Sequence, residues 1–596
     1  MSAARERQTI DDAHTWDLES IFADDEQWEA AFSSAEDAIE ELRGFEETTT
    51  ADPERLLGTL EAYETVMREV STVYSYAQMR RDEDTTVDRY QGMTTRAQSL
   101  YSSAREAGSF VEPEIQATEW ERLAGFIEAE PDLAIYEHYL DDVHRMRDHT
   151  RSAEVEGLLA DLSDVLGGAG EVYTMLSNAD MTFPSVERPS GESIEITQSN
   201  FVELQKHEER AFRQEVYERF YDEWETVRNA VTASYQASVK ADVKLARARE
   251  YDTAREAALD GPNVPTEVYD TLVDTVRDHL TLLQQHAELK RRAIDADELA
   301  MWDVYMPVTR YESPEVSYEE AAKLVIASVE PLGDEYQERL AAGIDSRWVD
   351  VYETPNKRSG AYSGGTYDTQ PFILMNYQDT VASMFTLAHE LGHSLHSEYT
   401  SEHQPYVYSQ YEIFTAEVAS TVNETLLTHH VLEHVEDEAF RSHVLDQYLE
   451  NFRGTLFRQT MFAEFEHRVH ERIETGDALT PDGLDELYFD LKSTYYGGRG
   501  VDDRIAREWM RIPHFYRAYY VYQYATGMSA AAALGAQILE EGAPAAERYL
   551  SFLKSGSREY PLELLDAAGV DMRTSSPIES ALEVYAQFLE EAAALA

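Results

Sequence analysis

The sequence predicts a mainly α-helical fold with a small β element. Apolar residues recur at spacings of three and four over most of the chain, which is the period of an amphipathic helix. Strand-like alternation occurs in two short stretches only, residues 181–200 and 346–377. A chain of 596 residues is also too long for one compact domain, so we expect two or more subdomains.

The N-terminal part, from residue 12 to about 180, is predicted to be one helix after another. The stretch Met181–Asn200 then places a Pro-Ser-Gly turn before an alternating Ile-Glu-Ile-Thr run, which is typical of a hairpin. We place a boundary there. The prediction is an N-terminal helical subdomain, residues 1–190, and a C-terminal helical domain, residues 191–596.

Helical patterning resumes at Phe201 and continues to about Ala342. The clearest segment begins at Pro265 and Thr266 and has Arg291 near its end.

Residues 346–377 differ from their surroundings. They alternate, contain a Gly-rich turn and end in the apolar run of "QPFILMNY", so we expect two or three short strands. Pro371 favours an edge position for the last strand, where an extended peptide could pair with it. Asp379 or Thr380 is suited to cap the following helix, and helical patterning returns after about Tyr411.

The charge of the chain is extreme. Acidic residues outnumber basic ones 115 to 50, for a net charge of -65. Such a surface repels nucleic acid and anionic membranes, so neither is expected as a partner. Acidity spread along the whole chain indicates adaptation to concentrated salt, where the Debye length falls to about 3 Å, and a halophilic source is predicted.

The chain contains no cysteine, so disulfides, thiolate ligands and a cysteine nucleophile are excluded. A metal site would have to use His, Asp and Glu. We find no apolar stretch suited to a signal peptide or a membrane span, and we expect a cytoplasmic protein.

The segment "TLAHELGHSLHSEY" carries the strongest functional signal. On a helix, His389 and His393 lie one turn apart on nearly the same face, so both imidazoles can bind one ion at about 2.0–2.1 Å. Glu390 lies about 100° around the axis, where it can accept a proton from a bound water. This His-Glu-x-x-His arrangement is that of zinc peptidases. The alternative is a polar helix whose histidines are only hydrogen-bonded.

A catalytic zinc needs a third protein ligand and one open position. His396 is one candidate, but three ligands along one straight helix span roughly 10 Å. Glu417 is the better candidate, because it lies in a small, apolar setting on a neighbouring predicted helix where a carboxylate needs a partner. Glu424, seven residues on, shares its face and is suited to orient a histidine. A salt bridge is the alternative role for Glu417.

The motifs resemble those of the oligoendopeptidase F family, part of the thimet-oligopeptidase group of zinc metallopeptidases. "HELGHSLH", "QPYVYSQYEIFTAEVASTVNE", "EWMRIPHFYRAYYVYQYATG", "NKRSGAYSGGTYDTQPFILMNY" and "WDLESIF" carry the likeness, in order over nearly the whole chain. The resemblance implies a zincin-type helical metallopeptidase with a deep channel that admits short peptides. It also implies one Zn²⁺ per chain on His389, His393 and Glu417, with Glu390 as general base.

A second group of candidates lies in "RIPHFYRAYYVYQYATG". Tyrosine hydroxyls and a histidine are suitable donors to the oxyanion of peptide hydrolysis. The resemblance assigns this role to His514 and Tyr519. A second tyrosine does not map cleanly, and Tyr522 and Tyr524 stay candidates. Core packing is the alternative for at least half of these rings.

The sequence therefore predicts a zinc-dependent endopeptidase that hydrolyses internal bonds of short, unstructured peptides through a metal-activated water. One alternative is an exopeptidase of the same chemistry, such as a dipeptidyl carboxypeptidase. Another is a non-catalytic helical binding protein with a structural zinc, in which His396 would be a fourth ligand. The oligomeric state stays open.

Overall fold

A computed structural model describes residues 5–309 and 314–595, and helices account for most of them. From the N-terminus they are α1 (Asp25–Arg43), α2 (Pro53–Glu83), α3 (Asp88–Ala107), α4 (Val111–Gln116), α5 (Trp120–Ala129), α6 (Glu137–Arg145), α7 (Ala153–Asp161), α8 (Ser163–Met175), α9 (Phe201–Leu204), α10 (Arg210–Ala248), α11 (Ala254–Asp260) and α12 (Thr266–Asp278). The remainder are α13 (Leu280–Ala293), α14 (Tyr318–Ser328), α15 (Asp334–Asp345), α16 (Val381–His403), α17 (Ile413–His434), α18 (Glu438–Asn451), α19 (Arg458–Thr475), α20 (Pro481–Tyr496), α21 (Tyr522–Glu541), α22 (Ala543–Leu553), α23 (Pro561–Ala568) and α24 (Ser576–Leu595). The predicted mainly α-helical fold class is confirmed.

Local capping explains where several helices begin and end. Asp24 accepts hydrogen bonds from two backbone N–H groups of α1, and Asp52 accepts one from α2, which satisfies donors that a helix start leaves free. Gly476 ends α19 in the left-handed conformation, which costs glycine little. The segment predicted to start at Pro265 and Thr266 begins there but is broken at His279, between α12 and α13.

Five strands accompany the helices in the described part of the chain: β1 (Ser185–Glu187), β2 (Ser193–Glu195), β3 (Val349–Tyr352), β4 (Tyr362–Gly364) and β5 (Phe372–Tyr377). The strands β1 and β2 form the predicted antiparallel hairpin. The other three form one sheet in the order β3-β5-β4, parallel between β3 and β5 and antiparallel between β4 and β5.

The predicted edge position of the "QPFILMNY" strand is wrong. This strand is β5, and it lies in the centre of its sheet. Pro371 precedes the strand and therefore removes no hydrogen bond from the ladder, which a proline at the first position allows. The two edges of the sheet belong to β3 and β4.

The chain folds as two compact units built from interleaved segments. The first contains the residues up to Asp148, Pro314–Glu433 and Gln537–Gly569. The second contains His149–Ser313, His434–Ala536 and Val570–Ala596, as far as these are described. The predicted division into residues 1–190 and 191–596 stays a prediction.

In the first unit, α1, α2 and α3 pack on the three-stranded sheet. Their buried side chains share one core with Phe372 and Leu374 of β5. The indole N–H of Trp16 donates to the Ile373 carbonyl at 2.7 Å, so the polar atom of this buried ring is satisfied. This packing holds the sheet in place, and α16 follows its strand β5 along the chain.

In the second unit, charged groups are buried together with partners of opposite charge. Glu508, which is 2% exposed, accepts from Arg458 and Lys492, each at 2.7 Å. Burial would raise the pKa of Glu508, but the two cations hold it well below its ordinary value. Buried charges are tolerated when partnered in this way.

Across the described residues, no helix combines the length and apolarity needed to cross a bilayer.

Candidate metal centre

The helix α16 carries the His-Glu-x-x-His motif, and its neighbours fix its position. It begins after Thr380, whose hydroxyl accepts from the Ser383 N–H at 3.1 Å, so Thr380 is the cap. At Gly392 the helix lies against α17, where an added Cβ would come within 2.7 Å of the Ala419 carbonyl oxygen and of the Ser420 Cα. Glycine thus permits a close approach that brings the side chains of the two helices together.

His389, His393 and Glu417 converge on one point. The two Nε2 atoms are 3.2 Å apart. The Glu417 Oε2 atom lies 3.5 Å from Nε2 of His389 and 3.7 Å from Nε2 of His393. These are the residues whose ligand atoms come together in this way among those that the structure describes.

These separations fit a tetrahedral zinc site. With bonds of about 2.0–2.1 Å, ligand atoms of a tetrahedral ion lie about 3.4 Å apart. The observed 3.2, 3.5 and 3.7 Å scatter around that value. Two imidazoles and one carboxylate leave a fourth position for water or substrate, as in catalytic zinc sites.

Residues of α17 support the ligands. Glu424 places Oε1 2.6 Å from Nδ1 of His389, which fixes a proton on Nδ1 and leaves Nε2 free to bind an ion. The Ser420 hydroxyl donates to Glu417 Oε2 at 3.2 Å. The Asn423 side chain donates to the Ala388 carbonyl at 3.2 Å and holds α17 beside α16.

Without an ion, the two histidines compete for protons. Burial lowers the pKa of His389, but the hydrogen bond and charge of Glu424, with the charge of Glu417, outweigh it and raise that pKa. For His393, burial and the neighbouring charge of His389 lower the pKa. Metal binding requires neutral imidazoles, so a cation at the centre of the three side chains would displace the extra proton that this raised pKa favours on His389.

Glu390 lies next to the ligands and is 7% exposed. Burial, together with the charges of Glu417 and Glu424, raises its pKa to about 7, while His389 and the backbone N–H of Ser363 oppose this. A carboxyl with a pKa near neutrality is suited to take up and release a proton.

His396 has a different environment. Its ring is 1% exposed and stacks on Tyr411 with centroids 3.8 Å apart and planes 10° apart. Burial lowers its pKa to about 3. It does not belong to the group of His389, His393 and Glu417, and its surroundings are those of a packed neutral ring.

A cavity of about 360 Å³ opens beside the ligands. Its wall includes His393 and Glu417, together with β4 and the loop that follows, from Ser363 to Tyr367. The Ser363 hydroxyl contacts that of Ser394 on α16 at 2.8 Å. The strand β4 is therefore fixed against the motif helix, with Ser363 facing Glu390.

His514 and Tyr519 both lie in the second unit. The two side chains contact different neighbours. The ring of His514 is parallel to that of Tyr520, with centroids 5.9 Å apart, and meets Tyr524 edge-on at 5.9 Å. Burial, with the charges of two arginines, lowers the pKa of His514. The structure thus places Tyr524 beside His514, whereas Tyr522 is 1% exposed and packs on Tyr269.

Tyr519 is held in an unusual conformation. Its φ of +54° lies in the left-handed region, which costs a bulky residue free energy. Its backbone N–H donates to Oε1 of buried Glu466 at 2.8 Å, and its hydroxyl lies 3.3 Å from Nδ1 of His467. The sequence reveals neither partner, because both come from α19 and no local spacing links them to Tyr519.

Comparison with known proteins gives consistent results. Residues 203–584 match the model of Peptidase family M3, and residues 114–183 match that of Oligopeptidase F. Oligopeptidase PepF of Bacillus subtilis is 43% identical over 98% of this chain and 88% of its own. Group B oligopeptidase PepB of Streptococcus agalactiae is 41% identical over 98% of this chain and 97% of its own.

Solved structures share the fold. Oligoendopeptidase-F from Enterococcus faecium superposes with a TM-score of 0.74 at 34% identity, covering 96% of this chain and 99% of its own. A structure from Chlamydophila abortus superposes with a TM-score of 0.92 at 32% identity and full coverage of both chains.

Fold and site together define a helical metallopeptidase. Within that class, the chain belongs to peptidase family M3, and the predicted resemblance to oligoendopeptidase F is confirmed.

Proposed function

We propose that this protein is a zinc-dependent endopeptidase that cleaves internal bonds of short, unstructured peptides. The observation that carries the proposal is the convergence of His389, His393 and Glu417 on one point, with the carboxyl of Glu390 beside them. Membership of a peptidase family supports the reaction class, and the donor set of two imidazoles and a carboxylate suits zinc.

The roles of the side chains follow from their chemistry. Bound Zn²⁺ would lower the pKa of water and polarise a carbonyl. Glu390 takes the proton of the attacking water and gives it to the leaving amine, a transfer for which a pKa of about 7 is well matched. We assign oxyanion stabilisation to His514 and Tyr519, with Tyr524 as a further candidate.

The strand β4 offers a way to hold peptides of varied sequence. It is an edge strand of its sheet, and Ser363 in its middle faces Glu390. An extended peptide can add to such an edge through main-chain hydrogen bonds. This arrangement would bring the scissile carbonyl to the motif helix without selecting the side chains on either side of it.

Glu390→Gln tests the assignment of the general base. We expect zinc content to be unchanged, because Glu390 is not among the three ligands, and kcat to fall roughly 10²- to 10⁴-fold. Zinc is measured by atomic emission and turnover with a quenched peptide. Glu402→Gln, the same change at the exposed end of α16, is the control and should keep its activity. Near-normal turnover of the Glu390 variant would exclude the proposed role.

Peptides blocked at both ends distinguish endopeptidase from exopeptidase activity. We expect internal cleavage of a blocked peptide, abolished by a chelator and restored by Zn²⁺. Hydrolysis of peptides with free termini only would instead indicate the exopeptidase alternative. The cytoplasmic location and the deep channel stay predictions, and the oligomeric state stays open.

A further inference from the structure

A second cavity, of about 610 Å³, lies in the first unit between α2, α3 and the segment after β4. Eight tyrosines contribute to its wall, among them Tyr63 and Tyr74 of α2 and Tyr101 of α3. Aromatic faces attract cations and flat, weakly hydrated groups.

The wall carries a carboxylate without a cationic partner. Glu64 is half-buried, and the Tyr136 hydroxyl and the Val407 N–H are directed at it. Burial raises the pKa of Glu64, and the charge of the nearby Arg68 opposes this. The described residues include no cation within ion-pair distance of Glu64. The neighbouring Arg68 is engaged with both carboxylate oxygens of Asp368, its Nε 2.9 Å from Oδ2. The charged residues of the wall therefore leave one negative charge uncompensated.

Arg68 shows which chemistry this environment accommodates. Its guanidinium lies 5.0 Å from the ring centroid of Tyr367 and 5.9 Å from that of Tyr406. This guanidinium is therefore held by aromatic faces and by a carboxylate. The cavity interior offers the same two kinds of group, in its other tyrosines and in Glu64. A guanidinium matches such a site better than an ammonium, because it is planar and forked.

The cavity shares a wall with the cavity at the metal ligands. Residues Ser363 to Tyr367 and Gln410 line both. Along β4 the side chains alternate: Ser363 contacts Ser394 of α16 at 2.8 Å, whereas the Tyr362 hydroxyl donates to Asp82 of α2 at 3.0 Å. A peptide added to the edge of β4 would likewise direct alternate side chains toward α16 and toward α2.

We propose that the tyrosine-lined cavity is a subsite for an arginine side chain of the peptide substrate, held by Glu64 and the surrounding rings. This inference rests on the proposed endopeptidase function. Because side chains of an extended peptide alternate, the preference should appear at one position, or at two positions separated by one residue, and not along the whole peptide.

The test compares arginine with citrulline, its neutral isostere. Quenched peptides blocked at both ends carry one arginine or one citrulline, moved along the sequence around a single cleaved bond. With zinc-loaded wild-type enzyme, we expect kcat/KM to favour arginine by roughly tenfold or more at the predicted positions, the size of one charge-assisted contact. Glu64→Gln should abolish this ratio and leave the kcat/KM of citrulline peptides within about twofold.

Glu61→Gln is the matched control, since Glu61 is exposed on the same helix and does not line the cavity. It should keep the ratio. Equal cleavage of both series by the wild type at every position, or a ratio that survives in Glu64→Gln, overturns the subsite. The wild-type comparison decides even where a variant fails to fold. Absence of hydrolysis of every peptide would instead contradict the proposed endopeptidase function.

Discussion

At the scale of single residues, Glu424 holds the ring of a proposed ligand, His389, and is not itself in the proposed ligand set. Its carboxylate oxygen lies 2.6 Å from Nδ1 of His389, so it fixes both the tautomer and the ring orientation of that histidine. A ligand that is already oriented loses less freedom when the ion binds. We therefore expect the affinity of the site for zinc to depend on a residue outside the proposed set of three ligands.

Glu424→Ala should weaken zinc binding by about 10- to 100-fold. Removing the carboxylate frees the ring of His389 and lets Nδ1 compete with Nε2 for the ion. Competition with a chelating dye measures the dissociation constant. Glu433→Ala, an exposed position on the same helix, should bind zinc as the wild type does. An unchanged constant in the Glu424 variant would contradict the orienting role.

At the scale of elements, the site depends on how closely two helices approach. The motif helix α16 carries two of the proposed ligands and α17 carries the third, so a shift between the helices would move Glu417 away from the histidines. Gly392 is the point of contact, where the α17 backbone leaves no room for a methyl group. Protein interiors transmit such a displacement, because they are closely packed.

Gly392→Ala should lower the free energy of unfolding of the first unit by roughly 1–3 kcal/mol, the cost of overpacking, and weaken zinc binding. Urea unfolding followed by tryptophan fluorescence measures the first effect and dye competition the second. Gly92→Ala on α3 is the control, since its Cβ would meet nothing within 4 Å, and it should be neutral or slightly stabilising. Equal behaviour of the two variants would show that the helices can separate without cost.

At the scale of the whole molecule, the main feature is the large negative charge of the chain. A net charge of -65 on 596 residues means that most acidic side chains have no basic partner. Repulsion among them opposes the compact state at low ionic strength. Salt screens this repulsion. Salt also weakens exposed ion pairs, but each of these contributes little to the stability of the fold, so the loss is small.

The melting temperature should therefore rise as KCl is increased from about 0.1 M to 1 M, where the Debye length falls from about 10 Å to about 3 Å. Differential scanning calorimetry measures the change. Sorbitol at equal osmolality separates screening from general exclusion effects and should stabilise less. A melting temperature that stays constant or falls with KCl would contradict salt adaptation.

Much of this architecture was predictable because it depends on neighbours along the chain. Helical periodicity predicted most elements, and the i, i+4 spacing placed His389 and His393 on one face of α16. Thr380 could be recognised as a cap candidate from its position before the helix. These features follow from local geometry, which the sequence contains directly.

Other features could be seen only in the tertiary structure, because they involve residues that are far apart in sequence. The central position of β5, the partners of Tyr519 on α19, the interleaving of two units and the cavity around Glu64 all depend on long-range packing. No local sequence period predicts such packing, because strand order and helix contacts depend on the free energy of the whole fold. The sequence by itself thus determined the helices and the identity of the candidate ligands. Packing determined which side chains meet, and therefore where we propose that a peptide binds.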